Sequence, residues 1–458
     1  MKSSRSAVAY KTRTLPQLRF EDQALTSFSG LVIFQKLFDQ LDLKNRLRGC
    51  FRHRQVTPIF GPWRIVLLLI VHLLLGYRQL RHLRYYADDP MVLRTLGVTR
   101  LPDVSTVSRT LSDLDQNSIV NLHLLLGDMV LERLIQLGMR RITIDFDGSV
   151  IGTSRFAEGA AVGFNRKKKG QRSYYPLLCT IAQTGQVLAL LARSGNVHDS
   201  NGARAFIEQC ITRLRQALPG ILIEIRMDSA FFSEEIVALL DRERIEYTIS
   251  VPFERLPALK EQVEQQDQWH CMDAQCDYFE SQWKPKSWDE ERRFVFVRKQ
   301  VRIQHKQPIQ LDLFVPHEYG YEFKVVLTNK SLTAARVVAF HNSRGSQEGI
   351  FAELKSQIQM DYVPTRTWLG NQVFMLSAIL AHNLSRELQM RVNAPCRKTQ
   401  AKRPAMWDFL QLDTLRRRLV QRAGRLIRPG GKLTLSMSAN KSVKDELLHI
   451  LNGLDAAA

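Results

Sequence analysis

The sequence predicts an α/β protein with an all-helical region before its sheet and a basic helical region after it. Two stretches and one change of texture carry that prediction. In ITIDFDGSV, Ile142, Ile144 and Phe146 alternate with Thr143, Asp145 and Asp147. Period two makes this a β-strand with both carboxylates on one face. In ILIEIRMD, Ile221 to Asp228, the same alternation again ends on an aspartate. Before the first strand and after Leu332, apolar residues recur instead at helical spacing.

The elements follow in order. Residues 1 to about 20 are basic and polar, and are expected to be poorly ordered. From Phe20 to Leu137, Leu-rich segments with few β-branched runs predict helices throughout. Within them, LPDVSTVSRTLSDL, Leu101 to Leu114, has the form of the second helix of a helix-turn-helix. Asp103 or Ser105 can cap it, and Ser105, Thr106, Ser108 and Arg109 give it a polar face able to reach bases. An ordinary amphipathic helix has the same pattern. Upstream, Arg78, Arg81 and Arg84 interleave with Tyr77, Tyr85 and Tyr86, as a phosphate grip or a wet helix face does.

From Met139 the strands begin. Ile142–Asp147 is followed by a hairpin of Tyr174–Ala182 and Val187–Ala192 turning at Thr184-Gly185. A helix from Gly202 to Ala217, the strand ending at Asp228, a helix from Ser233 and a strand from Ile245 to Val251 come next. Glu234 and Glu235 suit the first turn of that second helix. The order β, β, β, α, β, α, β describes a mixed sheet with helices packed on it. Four more strand-like runs, Asp277–Glu280, Arg293–Val301, Ile309–Val315 and Phe323–Thr328, read as an inserted β-rich subdomain. The expected divisions are 1–137, helical and DNA-binding; 138–253, the first part of the core; 254–335, the insert; 336–390, the last core helices; and 391–458, basic and helical.

Charge narrows the function. Subtracting 45 acidic from 65 basic residues gives +20, which suits a polyanion, most simply nucleic acid. The most apolar run, Ile65 to Leu75, contains His72 and is too short to span a bilayer, so it reads as a buried helix and no membrane partner is expected. The first residues lack the apolar centre of a signal peptide, and six scattered cysteines make no disulfide framework. A cytoplasmic location is expected. His270, Cys271 and Cys276 match no common zinc spacing.

The chemistry is expected where FHNSRGSQEGIFAELK, Phe340 to Lys355, meets the two strand ends. On a helical wheel of about 100° per residue, His341, Arg344, Glu348 and Lys355 fall within about 60° of one another; the alternative is that Asn342 or Ser343 caps the helix and leaves His341 outside it. Phe351, Leu354 and Ile358 form an adjacent apolar stripe that would seat the helix on the sheet. Gly345 and Gly349 inside that helix cost about 1 kcal/mol each against alanine, which suggests a close packing contact. Asp147, Asp228 and Glu348 would then supply carboxylates from three separate elements. Such a set can hold two divalent cations about 3.5–4 Å apart for in-line attack on a phosphodiester. Mg²⁺ suits so sparse a site.

These residues carry a resemblance. Asp-Gly-Ser after one strand, Arg-x-Asp-Ser-x-Phe after another and Arg-x3-Glu-x6-Lys on a late helix look like the DDE transposases of bacterial insertion sequences. GFNRKKKGQRSYYPLL and RSGNVHDSNGA further resemble the insertion-sequence-1380 group. The similarity is clearest from about 140 to 390. It implies a ribonuclease-H-like core with a β-rich insertion between the second Asp and the Glu. It implies Asp147, Asp228 and Glu348 as the catalytic, metal-binding triad, with Mg²⁺ as cofactor and Mn²⁺ as a substitute. Arg344 and Lys355 would contact phosphates of the transposon end. The family's Tyr position holds His341, which can still donate to phosphate, so weakened rather than lost function is expected. Asp145 is the rival first ligand, although Asp-Gly-Ser favours Asp147. Arg166, Lys167, Lys168 and Lys169 form either a phosphate clamp or a solvated loop. The expected activity is cleavage of double-stranded DNA at terminal inverted repeats and transfer of the 3′ ends, by a homodimer on paired ends. A catalytically inactive, transposase-derived repressor is the alternative, and a nuclease that cuts without joining is a third reading.

Overall fold

The computed structural model describes residues 17–21, 23–54, 60–154, 156–163, 165, 168–197, 201–300 and 320–456. A short strand β1 (Leu25–Thr26) precedes helices α1 (Leu31–Gln40), α2 (Leu43–Cys50), α3 (Pro62–Leu74), α4 (Pro90–Leu96), α5 (Val104–Ser112) and α6 (Gln116–Gln136). Pro62 opens α3, where its missing N–H costs nothing. From Ile65 to Leu74 every residue of α3 is buried, His72 included. The apolar run is thus a core helix. No helix among the described residues is long and apolar enough to cross a membrane.

The strands that follow are β2 (Arg141–Gly148), β3 (Ile151–Gly152), β4 (Ala161–Val162), β5 (Arg172–Tyr174), β6 (Leu177–Ile181) and β7 (Val187–Leu191). The segment expected as one strand from Tyr174 is two, broken at Pro176, which has no N–H to give a ladder. Gly185 turns the β6–β7 hairpin at φ +61°. Then come α7 (Ala203–Ala217), β8 (Leu222–Met227), α8 (Glu234–Arg242), β9 (Glu246–Ser250) and α9 (Pro257–Glu264). The insert supplies β10 (His270–Cys271), β11 (Cys276–Trp283), β12 (Arg292–Gln300) and β13 (Tyr321–Thr328). The expected run Ile309–Val315 lies outside the described residues.

The large sheet has the order β10-β11-β12-β13-β9-β8-β2-β6-β7. β2 runs parallel to β8 and β8 to β9, while β6 is antiparallel to both β2 and β7. The β-rich insert does not build a sheet of its own. Val326 of β13 pairs with Ser250 of β9, so the insert continues the same sheet. This removes an open edge from β9, whose unpaired N–H and C=O groups would otherwise be exposed.

After the insert run α10 (Ala334–Asn342), α11 (Ser346–Ala352), α12 (Trp368–Val392), the short α13 (Leu412–Leu415), β14 (Gly424–Ile427), β15 (Thr434–Met437) and α14 (Lys441–Ala456). The last region is therefore not wholly helical. β14 and β15 form a hairpin around Gly430 and Gly431, both at positive φ, and β14 also pairs with β1. Arg-Pro-Gly-Gly is a turn signal, and it overrides helical spacing there.

Among the described residues two large apolar cores result, with a smaller cluster of insert strands against α10. In one, buried residues of α1 to α5 pack with Ile350–Val363, α12, α13 and α14. In the other, Ile142, Ile144 and Phe146 of β2 pack with α7, α8 and the inner faces of β8, β9 and the insert. α6 spans the two: Ile119 to Met129 belong to the first core, Val130 to Leu134 to the second.

Candidate active site

The site grows from the face of β2 that looks away from α7. Alternation puts Thr143, Asp145 and Asp147 there, and on neighbouring β8 it puts Glu224, Arg226 and Asp228 there. The parallel register sets Thr143 beside Glu224 and Asp145 beside Arg226. Thr143 Oγ1 donates to Glu224 at 3.0 Å. Arg226 grips Asp145 with two bonds, Nε–Oδ1 at 2.6 Å and Nη2–Oδ2 at 2.7 Å, and both side chains are wholly buried. One step further along, past Phe146 opposite Met227, the strands end on Asp147 and Asp228. The ladder pairs complementary groups in its interior, and two like charges lie just past its last pair.

That end pair is electrostatically loaded. Burial, then the negative charge of Asp228, push Asp147 up to about 6, although Arg344 opposes this. Asp147 Oδ1 accepts from Gly148 N at 2.7 Å, and Arg344 Nη1 reaches Oδ2 at 3.2 Å. Asp228 caps a 3₁₀ turn through Ala230 N at 3.0 Å. Asp145, the rival ligand, is committed to Arg226.

The third element is not one regular helix. After α10 comes a 3₁₀ turn, Ser343–Gly345, then α11, then a π-helical turn, Glu353–Gln357. The expected common face is broken accordingly. His341 is buried, its ring bonded to Thr248 Oγ1 at 3.0 Å and Ser250 Oγ at 2.8 Å, so it does not present itself to a phosphate as expected. The ring is small and polar enough to serve the β9 hydroxyls, and burial lowers its pKa well below the ordinary value. Arg344 turns to Asp147, while Glu348 points to solvent. Phe351, Leu354 and Ile358 are buried as expected. Gly345 and Gly349 are not at a close contact: a Cβ on either meets nothing within 4 Å.

Two ties fix this element to the sheet. Arg226 Nη1 donates to Phe340 O at 3.2 Å, Ser343 Oγ at 2.5 Å and Lys402 O at 3.2 Å, at the break after α10. Gln347 Nε2 donates to Asp145 O at 3.0 Å and Thr180 Oγ1 at 3.0 Å. Glu348 therefore follows a residue anchored to β2. Sequence reading missed Arg226 and Gln347. The one signal was Arg226 on the same strand face as Asp228, a cation where alternation predicts burial.

Beside the aspartates opens a cleft of about 1250 Å³, whose lining includes Asp228, Lys168, Lys324, Lys355, Arg78 and Arg255. Arg78 also pairs with Asp361 at 2.5 Å. Lys168 and Lys169 are exposed, whereas Arg166 and Lys167 lie outside the described residues. On α5, Ser105 and Arg109 are exposed and Thr106 is half-buried, while Val107 and Leu111 face the core.

Among the described residues, no three His, Cys, Asp or Glu side chains are gathered to hold a metal ion. The structure brings Asp147 and Asp228 together and leaves Glu348 outside the pair.

The sequence profile of transposase DDE domain group 1 matches residues 10–458. The chain belongs to that family. Among solved structures, this transposase is similar to a piggyBac transposase synaptic complex with hairpin DNA, at 13% identity and a TM-score of 0.38, over 79% of this chain and 76% of that one. No curated protein matches it.

Proposed function

We propose that this transposase cuts DNA by metal-assisted phosphodiester hydrolysis and joins the freed 3′ ends to target DNA, with Asp147, Asp228 and Glu348 as ligands. The observation that carries the reading is the like-charge pair at the ends of two neighbouring parallel strands. Two half-buried carboxylates lie side by side, one of them raised toward neutrality even with Arg344 beside it, and a cation between them would relieve that repulsion. They are the hard oxygen donors that Mg²⁺ or Mn²⁺ prefers, and the sparse set leaves room for water and phosphate oxygens. The bound cation would polarise a phosphate and activate a water or 3′-hydroxyl.

The chain's own groups do the rest. Asp147 and Asp228 hold the charge at the mouth of the cleft. Arg344 has five N–H donors, so it can keep Asp147 and still take a phosphate. Lys355 lines the same cleft. Gln347 and Arg226 hold the segment from which Glu348 would reach the pair. The strand order β7-β6-β2-β8-β9, with β6 antiparallel to its neighbours, supports a ribonuclease-H-like core extended by the insert. Membership of the family supports DNA as partner and divalent metal as cofactor. Recognition of terminal inverted repeats through α5, a homodimer on paired ends, a cytoplasmic location and the Tyr-Arg-Glu-Lys signature of the insertion-sequence-1380 group belong to the same proposal.

The test is a cleavage and strand-transfer assay on DNA from the flanks of the coding region, with Mg²⁺ or Mn²⁺. Activity is expected to vanish in Asp228→Ala and Glu348→Ala, and equal activity in either would remove the chemistry. One observation favours a second reading, a DNA-binding repressor: Glu348 stands apart from the aspartates. Calorimetric titration with Mn²⁺ separates the two, since a repressor would bind none with or without DNA.

A further inference from the structure

We infer that Lys324, on the last strand of the insert, is a DNA-phosphate contact of the active-site cleft, working with Arg344 where His341 cannot. The inference rests on the proposed DNA-cutting function and adds a binding residue to it.

The placement follows from alternation along YEFKVVLT. Val325 and Leu327 of β13 enter the core under the sheet. Val326 packs on the other side with Val337 and Val338 of α10. Lys324 shares that second face, so its side chain runs toward the C-terminal end of α10. There its ammonium donates to Asn342 Oδ1 at 2.6 Å. The same lysine lines the cleft together with Asp228 and Lys355.

Its electrostatic setting is unusual for a surface lysine. Burial and the neighbouring Arg344 guanidinium both disfavour its charge, and Glu322 only partly offsets them. Lys324 and Arg344 also act together on His341, which stays neutral behind them. Two cations held close beside a cleft repel one another unless an anion joins them. Arg344 has Asp147, but Lys324 has two ammonium hydrogens beyond the one given to Asn342. A phosphodiester oxygen entering the cleft next to Asp228 would complete both. The insert would then be part of the DNA grip as well as an extension of the sheet. His341, whose two nitrogens serve Thr248 and Ser250, has no donor left to give.

The full chain is titrated by fluorescence anisotropy with a labelled duplex copied from the DNA flanking the coding region. Ca²⁺ replaces Mg²⁺, and the titration is repeated across a salt series. Lys324→Gln is expected to flatten the log–log salt slope by about 0.9, the counterion release of one phosphate, while Lys324→Arg keeps the wild-type slope. A wild-type slope in Lys324→Gln, at an unchanged melting temperature, overturns the inference. If Lys324→Gln does not fold, the wild-type protein decides. Acetylation of Lys324, followed by mass spectrometry, should drop several-fold when the duplex is bound, and equal labelling with and without DNA overturns the contact. Both measurements are repeated in Asp228→Ala, which the proposed function expects not to cut. A slope change and protection there uphold Lys324 even if no cleavage is ever seen. Cleavage without either effect sinks Lys324 alone.

Discussion

Arg226→Met should be among the most damaging single substitutions in the molecule. Arg226 and Asp145 are both fully buried and joined by two short bonds. Removing the guanidinium strands a carboxylate in the interior, which costs about 3–5 kcal/mol. Replacing both partners by apolar residues, Asp145→Leu with Arg226→Met, should recover most of that, because no charge is left unpaired. Recovery will not be complete, since Arg226 also holds the break after α10. Ser343 has a single O–H to share between the carbonyls of Phe340 and Lys402, so a residual loss of about 1 kcal/mol is expected. Urea unfolding followed by circular dichroism gives the three stabilities. Hydrogen exchange over residues 340–352 in the double variant shows whether the helix break has loosened while the sheet has not. A single variant that loses less than about 1 kcal/mol, or a double variant no better than the single, refutes the idea that this pair is a charge-compensated strut.

Other outcomes follow from neighbouring features. Gly349→Ala meets open space on an exposed helical position, so it should stabilise the free protein by up to about 1 kcal/mol in urea melts; a loss of stability would mean that the glycine is needed by the fold itself. His341→Tyr puts a larger ring into a filled site and should cost about 1–3 kcal/mol by overpacking, without raising cleavage; a more stable and more active variant would contradict the burial. Burial lowers His72 to about 3 and both His123 and His382 to about 4. The unfolded chain takes these protons near 6.5 while the folded chain does not. Their stabilisation is therefore whole above about pH 6.5 and shrinks toward pH 4, by up to about 1.4 kcal/mol per histidine per unit. Urea midpoints that stay level between about pH 7 and pH 5 would count against neutral burial of all three.

The strands around the site were legible because alternation is a local signal. Ile142, Ile144 and Phe146 turn inward, and that alone fixes where Asp145 and Asp147 point. What alternation could not reveal is pairing across strands. Asp145 stood as a rival to Asp147, disfavoured only by the Asp-Gly-Ser context, until the register set Arg226 beside it. The late helix was misread for a related reason. A wheel assumes uniform rise, whereas the 3₁₀ turn breaks the helix between His341 and Glu348, and the π turn breaks it again at Lys355. The 3₁₀ turn is met by Arg226 and the π turn, at Glu353, by Arg386, and both arginines lie far away in sequence. Likewise, the strand content of the insert was plain in Arg293–Val301, but its union with the main sheet depends on the Val326–Ser250 pairing. Lys324 gave no sign at all, because a lone lysine in a strand is ordinary.

The joining of β1 to β14 has a consequence for how the protein is made. Leu25 sits opposite Arg425, and Lys36 of α1 bonds the carbonyl of Leu451. The first helices therefore share a core with residues translated some four hundred positions later. On the ribosome, α2 and α4 can cover part of α1 early, but the part that meets α14 waits until residues near 450 have emerged. A prematurely terminated product would retain the aspartates of both central strands yet lack the lining against which its leading helices close.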